Sequence, residues 1–352
     1  MKFSFCGRLE RLLLIDTIMN SKSEFKPAWW LNSCHLQTIY PALFRQVLAP
    51  ELIQRQRLTT PDGDFLDLDW CEIADKPLVI LLHGLAGSSN SGYIKGLQRA
   101  LLDADFASVA LNFRGCSGEL NLRARSYHSG ETEDIEFVYQ TLRQRFPLRP
   151  IMAVGFSLGG NVLLKWLGEQ GEKSSLLAAV AVSVPFQLNL CATRLDNGFS
   201  KLYRDYLLRE LKQYVINKQR HLDKLGLRHE AEKLKQLGDL KQVGSFWQYD
   251  HQVVAQLHGF ADAADYYQRS SAKPFLSSIR IPTLLIQAAD DPFMTADVLP
   301  NPAQLPTNLQ LELCRNGGHV GFVGNSKTKT FGPDYWLDQR IPKFLTQIYS
   351  IT

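Results

Sequence analysis

A serine, a histidine and a pair of aspartates lie along this 352-residue chain where together they could transfer an acyl group. Ser157 sits in Gly155-Phe156-Ser157-Leu158-Gly159, between the apolar run Ile151-Met152-Ala153-Val154 and the helix-like run from Asn161 to Leu167. A G-x-S-x-G turn between strand and helix forces the serine into a strained backbone geometry. The small residues two positions to either side prevent Cβ collisions, and the hydroxyl projects over the end of a sheet. A hydroxyl is a weak nucleophile at neutral pH and needs an adjacent base, itself held in the right tautomer by a third group. His319, preceded by Gly317 and Gly318, is the candidate base, and the two glycines let its loop pass close over Ser157. Asp290 and Asp291 end the run Leu284 to Ala289 just before Pro292. Alternation along a strand sends neighbours to opposite sides, so the pair cannot both face one histidine. Asp291, where strand gives way to loop, is the preferred acid; Asp290 is read as a partner for backbone amides in the same turn.

Acyl transfer also needs donors for a developing oxyanion. The loop His83-Gly84-Leu85-Ala86-Gly87 follows a strand end and supplies one in the backbone N–H of Leu85, and the residue after the serine, Leu158, supplies the other. His83 is read as orienting this loop rather than moving protons. His35, His221, His229, His251 and His258 show neither an H-E-x-x-H pair nor a regular metal spacing, so zinc catalysis is disfavoured and no metal or organic cofactor is required. Phe113 to Gly118 lines the same rim; Ser129 caps the next helix, whose positive end suits Glu131, Glu133 and Asp134. Arg114, Tyr127 and His128 are read as packing and loop-fixing residues.

The elements that must position these groups are legible as short apolar runs ending in turn chemistry. Leu78 to Leu82, Ala107 to Phe113, Ile151 to Phe156, Ala178 to Val184 and Thr283 to Ala289 alternate with helical patterns. Runs buried on both faces suit a mostly parallel sheet flanked by helices, with ligands gathered at the carboxyl ends of the strands. Arg57 to Trp70, alternating around Pro61-Asp62-Gly63, predicts an antiparallel hairpin at one edge. From Pro185 to Pro282 the strand rhythm stops. Residues 201 to 241 carry eleven Lys/Arg against six Asp/Glu, and Tyr203, Leu207, Leu211 and Val215 recur at helical spacing. An inserted helical cap is the economical reading. Its basic residues are read as a solvated outer face, with weak contact to an anionic membrane surface as the minority alternative. The expected division is residues 1–50 as an N-terminal extension and leading segment, 51–190 and 272–352 as the core, and 191–271 as the cap.

Composition fits this picture. The chain is 45% hydrophobic and 21% charged with a net charge of +4, and no basic block interleaved with aromatics points to nucleic acid. Its six cysteines are widely scattered, which predicts free thiols in a reducing, cytoplasmic setting. The N-terminal apolar stretch Leu12 to Ile15 is too short for a secretory signal. Met19, followed by Asn20-Ser21-Lys22-Ser23, reads as a plausible true start.

With these pieces assembled, the chain resembles the YheT-type branch of the α/β-hydrolases, related to eukaryotic membrane-associated hydrolases and yeast medium-chain ethyl ester synthases. The resemblance runs from about residue 27 onward. It rests on His35-Leu36-Gln37-Thr38, Phe113-Arg114-Gly115-Cys116-Ser117-Gly118, Tyr127-His128-Ser129-Gly130-Glu131-Thr132-Glu133-Asp134, the serine turn with Gly160-Asn161, His258-Gly259-Phe260-Ala261-Asp262, Asp290-Asp291-Pro292-Phe293 and Gly317-Gly318-His319-Val320-Gly321-Phe322. The chain order Ser, Asp, His is that of the α/β-hydrolase fold. The resemblance places the nucleophile on Ser157, the base on His319 and the acid on Asp291. It implies an α/β-hydrolase fold and a carboxylic ester hydrolase acting on a small-molecule ester of short or medium acyl chain. The rival readings are an alcohol acyltransferase using the same acyl-enzyme and a non-catalytic protein that binds a small apolar ligand.

Overall fold

The computed structural model describes residues 23–45, 47, 53–326 and 332–351. Cys6, Met19 and the proposed start-site extension lie outside the described residues. Eight strands, β1 (Ile53–Thr59), β2 (Phe65–Cys71), β3 (Leu78–Leu82), β4 (Ala107–Asn112), β5 (Ile151–Phe156), β6 (Ala179–Val182), β7 (Thr283–Ala288) and β8 (Leu309–Cys314), form one sheet. Their spatial order is β1-β2-β4-β3-β5-β6-β7-β8. Every pairing from β4 across to β8 is parallel, and β1 and β2 form the antiparallel edge hairpin. The hairpin register sets Arg55 opposite Asp69 and Arg57 opposite Asp67. Both pairs close as side-on ion pairs at 2.7 and 2.8 Å, so charge complementarity supports the register at this edge.

Period-2 alternation explains why the central strands read as unbroken apolar runs: both faces are covered. Leu78, Ile80 and Leu82 of β3 pack with Ile135, Val138 and Leu142 of the helix Glu133–Arg145 and with the helix Leu158–Gln170. Val79 and Leu81 face the other way, toward Ile94 and Leu97 of Gly92–Asp103 and Ile341, Phe344 and Ile348 of Leu337–Ser350. The strand from Ala179 stops at Val182, two residues before the expected end, because Ser183 turns to a positive φ of 52°. A second, two-stranded sheet of β9 (Val323–Asn325) and β10 (Pro333–Tyr335) follows the histidine loop.

Between β6 and β7 the chain leaves the sheet for a set of helices running from Leu188 to Ser270. The longest, Ser200–Lys224, carries the predicted stripe. Leu211 and Val215 are buried and Tyr203 and Leu207 pack beside them, in a cluster with Leu188, Leu195, Phe246 and Tyr266. One basic residue departs from the solvated-face reading. Lys218 is buried, its Nζ donating to the Arg125 carbonyl at 2.6 Å and to the Tyr214 hydroxyl at 3.2 Å, and burial pulls its ammonium down to about 7. The run Phe246–Tyr249 continues through a π-helical segment, Asp250–Ala255. Among the described residues no helix is long and apolar enough to cross a membrane, and the five described cysteines are free thiols.

Candidate active site

Ser157 stands between β5 and the helix Leu158–Gln170 with φ 51° and ψ −117°, a left-handed conformation that a residue with a side chain adopts only under constraint. The constraint is steric. A Cβ on Gly159 would lie 2.4 Å from the His83 carbonyl oxygen, and one on Gly155 would lie 2.5 Å from the Gly159 carbonyl oxygen. The serine N–H is anchored to the Val182 carbonyl on β6 at 2.8 Å, so the neighbouring strand fixes the turn.

The structure brings His319 and Asp291 to this serine. Nε2 of His319 lies 2.9 Å from Ser157 Oγ, and Nδ1 lies 2.8 Å from Asp291 Oδ2. With the Nδ1 proton donated to the carboxylate, Nε2 keeps a lone pair facing the hydroxyl. Asp291 is buried, and its second oxygen accepts the N–H of Phe293 at 2.8 Å. The Phe293 ring in turn stacks on the imidazole, 4.0 Å between centroids and 4° from parallel. One carboxylate therefore orients both the imidazole and the ring that backs it.

Asp290 does not serve its own turn. Its Oδ1 accepts the Gly318 N–H at 3.0 Å and its Oδ2 the Asn316 amide at 3.2 Å, so it ties the end of β7 to the histidine loop 28 residues on. The two glycines are also needed for a reason other than clearance over the serine. Gly318 has φ +60°, and a Cβ there would meet the Cys34 carbonyl oxygen at 2.5 Å. The close neighbour is the helix Cys34–Phe44 in the leading segment.

That helix is the part of the site the sequence reading missed. Thr38 Oγ1 accepts the backbone N–H of His319 at 2.9 Å, and buried Gln37 clamps Val323 by accepting its N–H at 2.7 Å and donating to its carbonyl at 2.9 Å. Ser183 completes the cradle, its hydroxyl accepting the Val320 N–H at 3.0 Å. The motif His35-Leu36-Gln37-Thr38 was visible, but a hydrogen bond spanning 281 residues leaves no local periodicity to read.

Two tyrosines fix the loop after β3. Tyr93 and Tyr127 hydroxyls accept the N–H groups of Gly84 and Ala86 at 2.8 and 2.9 Å, and Leu85 between them lines the cavity. His83 is an internal strut. Its Nε2 accepts the Phe113 N–H at 3.1 Å, so Nδ1 carries the proton and donates to the Gly84 carbonyl at 2.8 Å. Burial pulls this imidazole down to about 4, which keeps it neutral. Leu158 begins its helix, so its N–H lacks an intrahelical acceptor and points its partial positive charge out of the helix end. Arg114 is likewise internal, bonded to Asp134 and Asp62, and Tyr127 stacks on Phe113.

Ser157, His319, Leu85 and Leu158 open into a cavity of about 470 Å³ between the sheet and the inserted helices, with Leu188, Leu195, Leu207 and Phe246 of the insertion among its walls. A wider depression of about 1150 Å³, lined by Arg123, Arg125, Glu230 and Lys233, contains none of these groups.

Away from the serine, His128, Glu131 and His258 place three ligand-type atoms within 4.8 Å of one another. The chemistry of this set does not suit a cation. Arg125 already occupies Glu131 Oε2 at 2.6 Å, and the Gly130 N–H donates to His128 Nδ1 at 3.1 Å. The ring proton therefore sits on Nε2, the atom a metal would need. Burial, then His258 and the positive charges of Arg125, Lys165 and Arg269, hold His128 well below the ordinary imidazole range.

A family model for the alpha/beta hydrolase fold matches residues 77–326. This chain belongs to the α/β-hydrolases. It is 43% identical to the YheT protein of Escherichia coli strain K12 over 331 residues, 93% of this chain and 94% of that one. It is 30% identical to the human phospholipase ABHD3 over 284 residues, 78% of this chain and 68% of that protein. Among solved structures, the Pyrococcus furiosus esterase PF2001 superposes with a TM-score of 0.54 at 19% identity, over 84% of this chain and 91% of that one, which bears on the fold alone. The hydrolase is of the esterase and lipase type.

Proposed function

We propose that this hydrolase cleaves carboxylic esters of short to medium acyl chain through an acyl-enzyme on Ser157, with His319 as general base and acid and Asp291 holding the imidazole. The observation that carries the reading is the use of both ring nitrogens of His319, one toward Ser157 Oγ at 2.9 Å and one toward Asp291 at 2.8 Å. That is the arrangement a serine nucleophile requires. A mainly apolar cavity of about 470 Å³ supports an ester of modest size.

In the proposed cycle, Nε2 takes the Ser157 proton as Oγ attacks the ester carbonyl. The carbonyl electron pair moves to oxygen, where the Leu85 and Leu158 N–H groups receive it. Collapse of the adduct expels the alcohol, which leaves with the proton from Nε2. Water then gives a proton to Nε2, attacks the acyl-serine, and the second collapse releases the acid and returns the proton to Oγ. One water is consumed and no redox step occurs.

Labelling with a fluorophosphonate tests the nucleophile: wild type reacts and Ser157→Ala does not. Equal labelling of the two, or none of wild type, removes the reading. A chain-length series of nitrophenyl esters then fixes the acyl preference, with a fall in kcat/KM expected beyond medium chains. Dilute ethanol in the same assay separates the acceptors, since ester formed in excess of free acid identifies an acyltransferase.

A further inference from the structure

The cavity beside Ser157 is apolar over most of its wall, with one acidic exception. Asp250, on the π-helical segment of the insertion, lines the same cavity although its residue is only 8% exposed. Its Oδ2 accepts the Tyr267 hydroxyl at 2.6 Å, and no ion pair to it is formed among the described residues. Tyr266, which also lines the cavity, spends its hydroxyl oxygen on the Ser129 N–H at 2.9 Å.

A buried carboxyl with one hydrogen bond and no cation costs stability that a leucine at the same place would not. Its hydrogen bond to Tyr267 ties the π-helical segment to the helix Ala263–Ser270 through Oδ2, and among the described residues Oδ1 accepts no hydrogen bond although the residue lines the cavity. π-helical turns widen the backbone and recur at functional sites. We propose that Asp250, held in place by Tyr267, is a hydroxyl-recognising subsite of the cavity, so that the favoured substrates are esters carrying a free hydroxyl group. This inference rests on the ester-hydrolase reading for the reaction, though not for the binding.

A hydroxyl fits better than an ammonium group. Burial pushes the Asp250 carboxyl up to about 7, so near neutral pH it is partly uncharged. A hydroxyl can donate to the carboxylate or accept from the acid, whereas an ammonium requires the charge. Tyr249, Tyr266 and Tyr267, which all feel the Asp250 charge, are pushed upward by burial and stay neutral, so none of them competes as a charged partner.

The test compares propyl butyrate with 2,3-dihydroxypropyl butyrate on wild type and Asp250→Leu. It adds calorimetry with 1-O-hexylglycerol, an ether that cannot be hydrolysed. Wild type is expected to favour the dihydroxy ester at least tenfold in kcat/KM, because a site built to bond a hydroxyl rejects the analogue that lacks it. In Asp250→Leu the preference collapses to within about twofold while the propyl ester is still cleaved, and the ether binds at least tenfold more weakly. Where the single variant fails to fold, Asp250→Leu/Tyr267→Phe removes both bonding partners and leaves no orphaned hydroxyl. An unchanged preference in either folded variant, no preference in wild type, or a stronger preference for butyrylcholine overturns the proposal. If wild type cleaves neither ester, the hydrolase reading falls and the calorimetry alone decides the subsite: lost ether binding upholds it, unchanged binding ends it.

Discussion

The hydroxyl of Thr38 accepts the backbone N–H of His319 at 2.9 Å, which ties the leading segment to the histidine loop. The same hydroxyl donates to the Cys34 carbonyl at 2.8 Å, so its orientation is set from within its own helix. Thr38→Val keeps the shape and removes the acceptor. We expect kcat to fall about tenfold with KM little changed, and stability to drop by about 1–2 kcal/mol for the orphaned amide. Steady-state kinetics and denaturant melts check both; a change confined to KM would place Thr38 at the substrate instead.

The neighbouring aspartates should separate cleanly. Asp291→Asn removes the acceptor that selects the His319 tautomer, and kcat should fall by about 10³–10⁴. Asp290→Asn can still accept the Gly318 N–H through its amide oxygen, so it should lose less than about tenfold. Parallel turnover measurements decide the pair, and the reverse ranking would move the acid to Asp290.

Gly159→Ala would force a Cβ to within 2.4 Å of the His83 carbonyl oxygen at the point where the serine turn crosses β3. The backbone must shift, with a loss of about 2 kcal/mol or more in stability. Fluorophosphonate labelling should fall with it, because the same shift moves Ser157. Gly118→Ala is a control for space alone: its Cβ meets nothing within 4 Å, although its φ of 99° leaves some strain.

Asp250 gives the protein a pH signature of its own. Its carboxyl is raised to about 7 when folded, against 3.8 in the ordinary state. Between these values the folded protein binds a proton that the unfolded chain has lost, so the contribution of this group to stability falls as pH rises from about 4 to about 7. Wild type should therefore lose stability relative to Asp250→Asn across that window, by at most about 1.4 kcal/mol per pH unit. Melting temperatures of the two proteins at matched pH test this; a constant difference would mean that the carboxyl titrates normally.

The features legible in the chain alone were local. The apolar runs specified β3, β5 and β7, because burial on both faces of a parallel sheet leaves an unbroken stretch of Val, Ile and Leu. The turn around Ser157 was equally legible, since the exclusion of Cβ atoms at Gly155 and Gly159 is a short-range steric rule. Whatever depends on distant segments meeting came from the packed fold. It gave Asp290 to the Gly318 amide across 28 residues, and assigned Gly318 to close passage beside Cys34 and Gly317 to close passage beside the Phe322 ring. It also set Thr38, Gln37 and Ser183 around the histidine loop and turned Asp250 toward the cavity. A hydrogen bond needs only one donor and one acceptor at the right separation. Nothing in the spacing of either partner along the chain announces which pairs the packing will bring together.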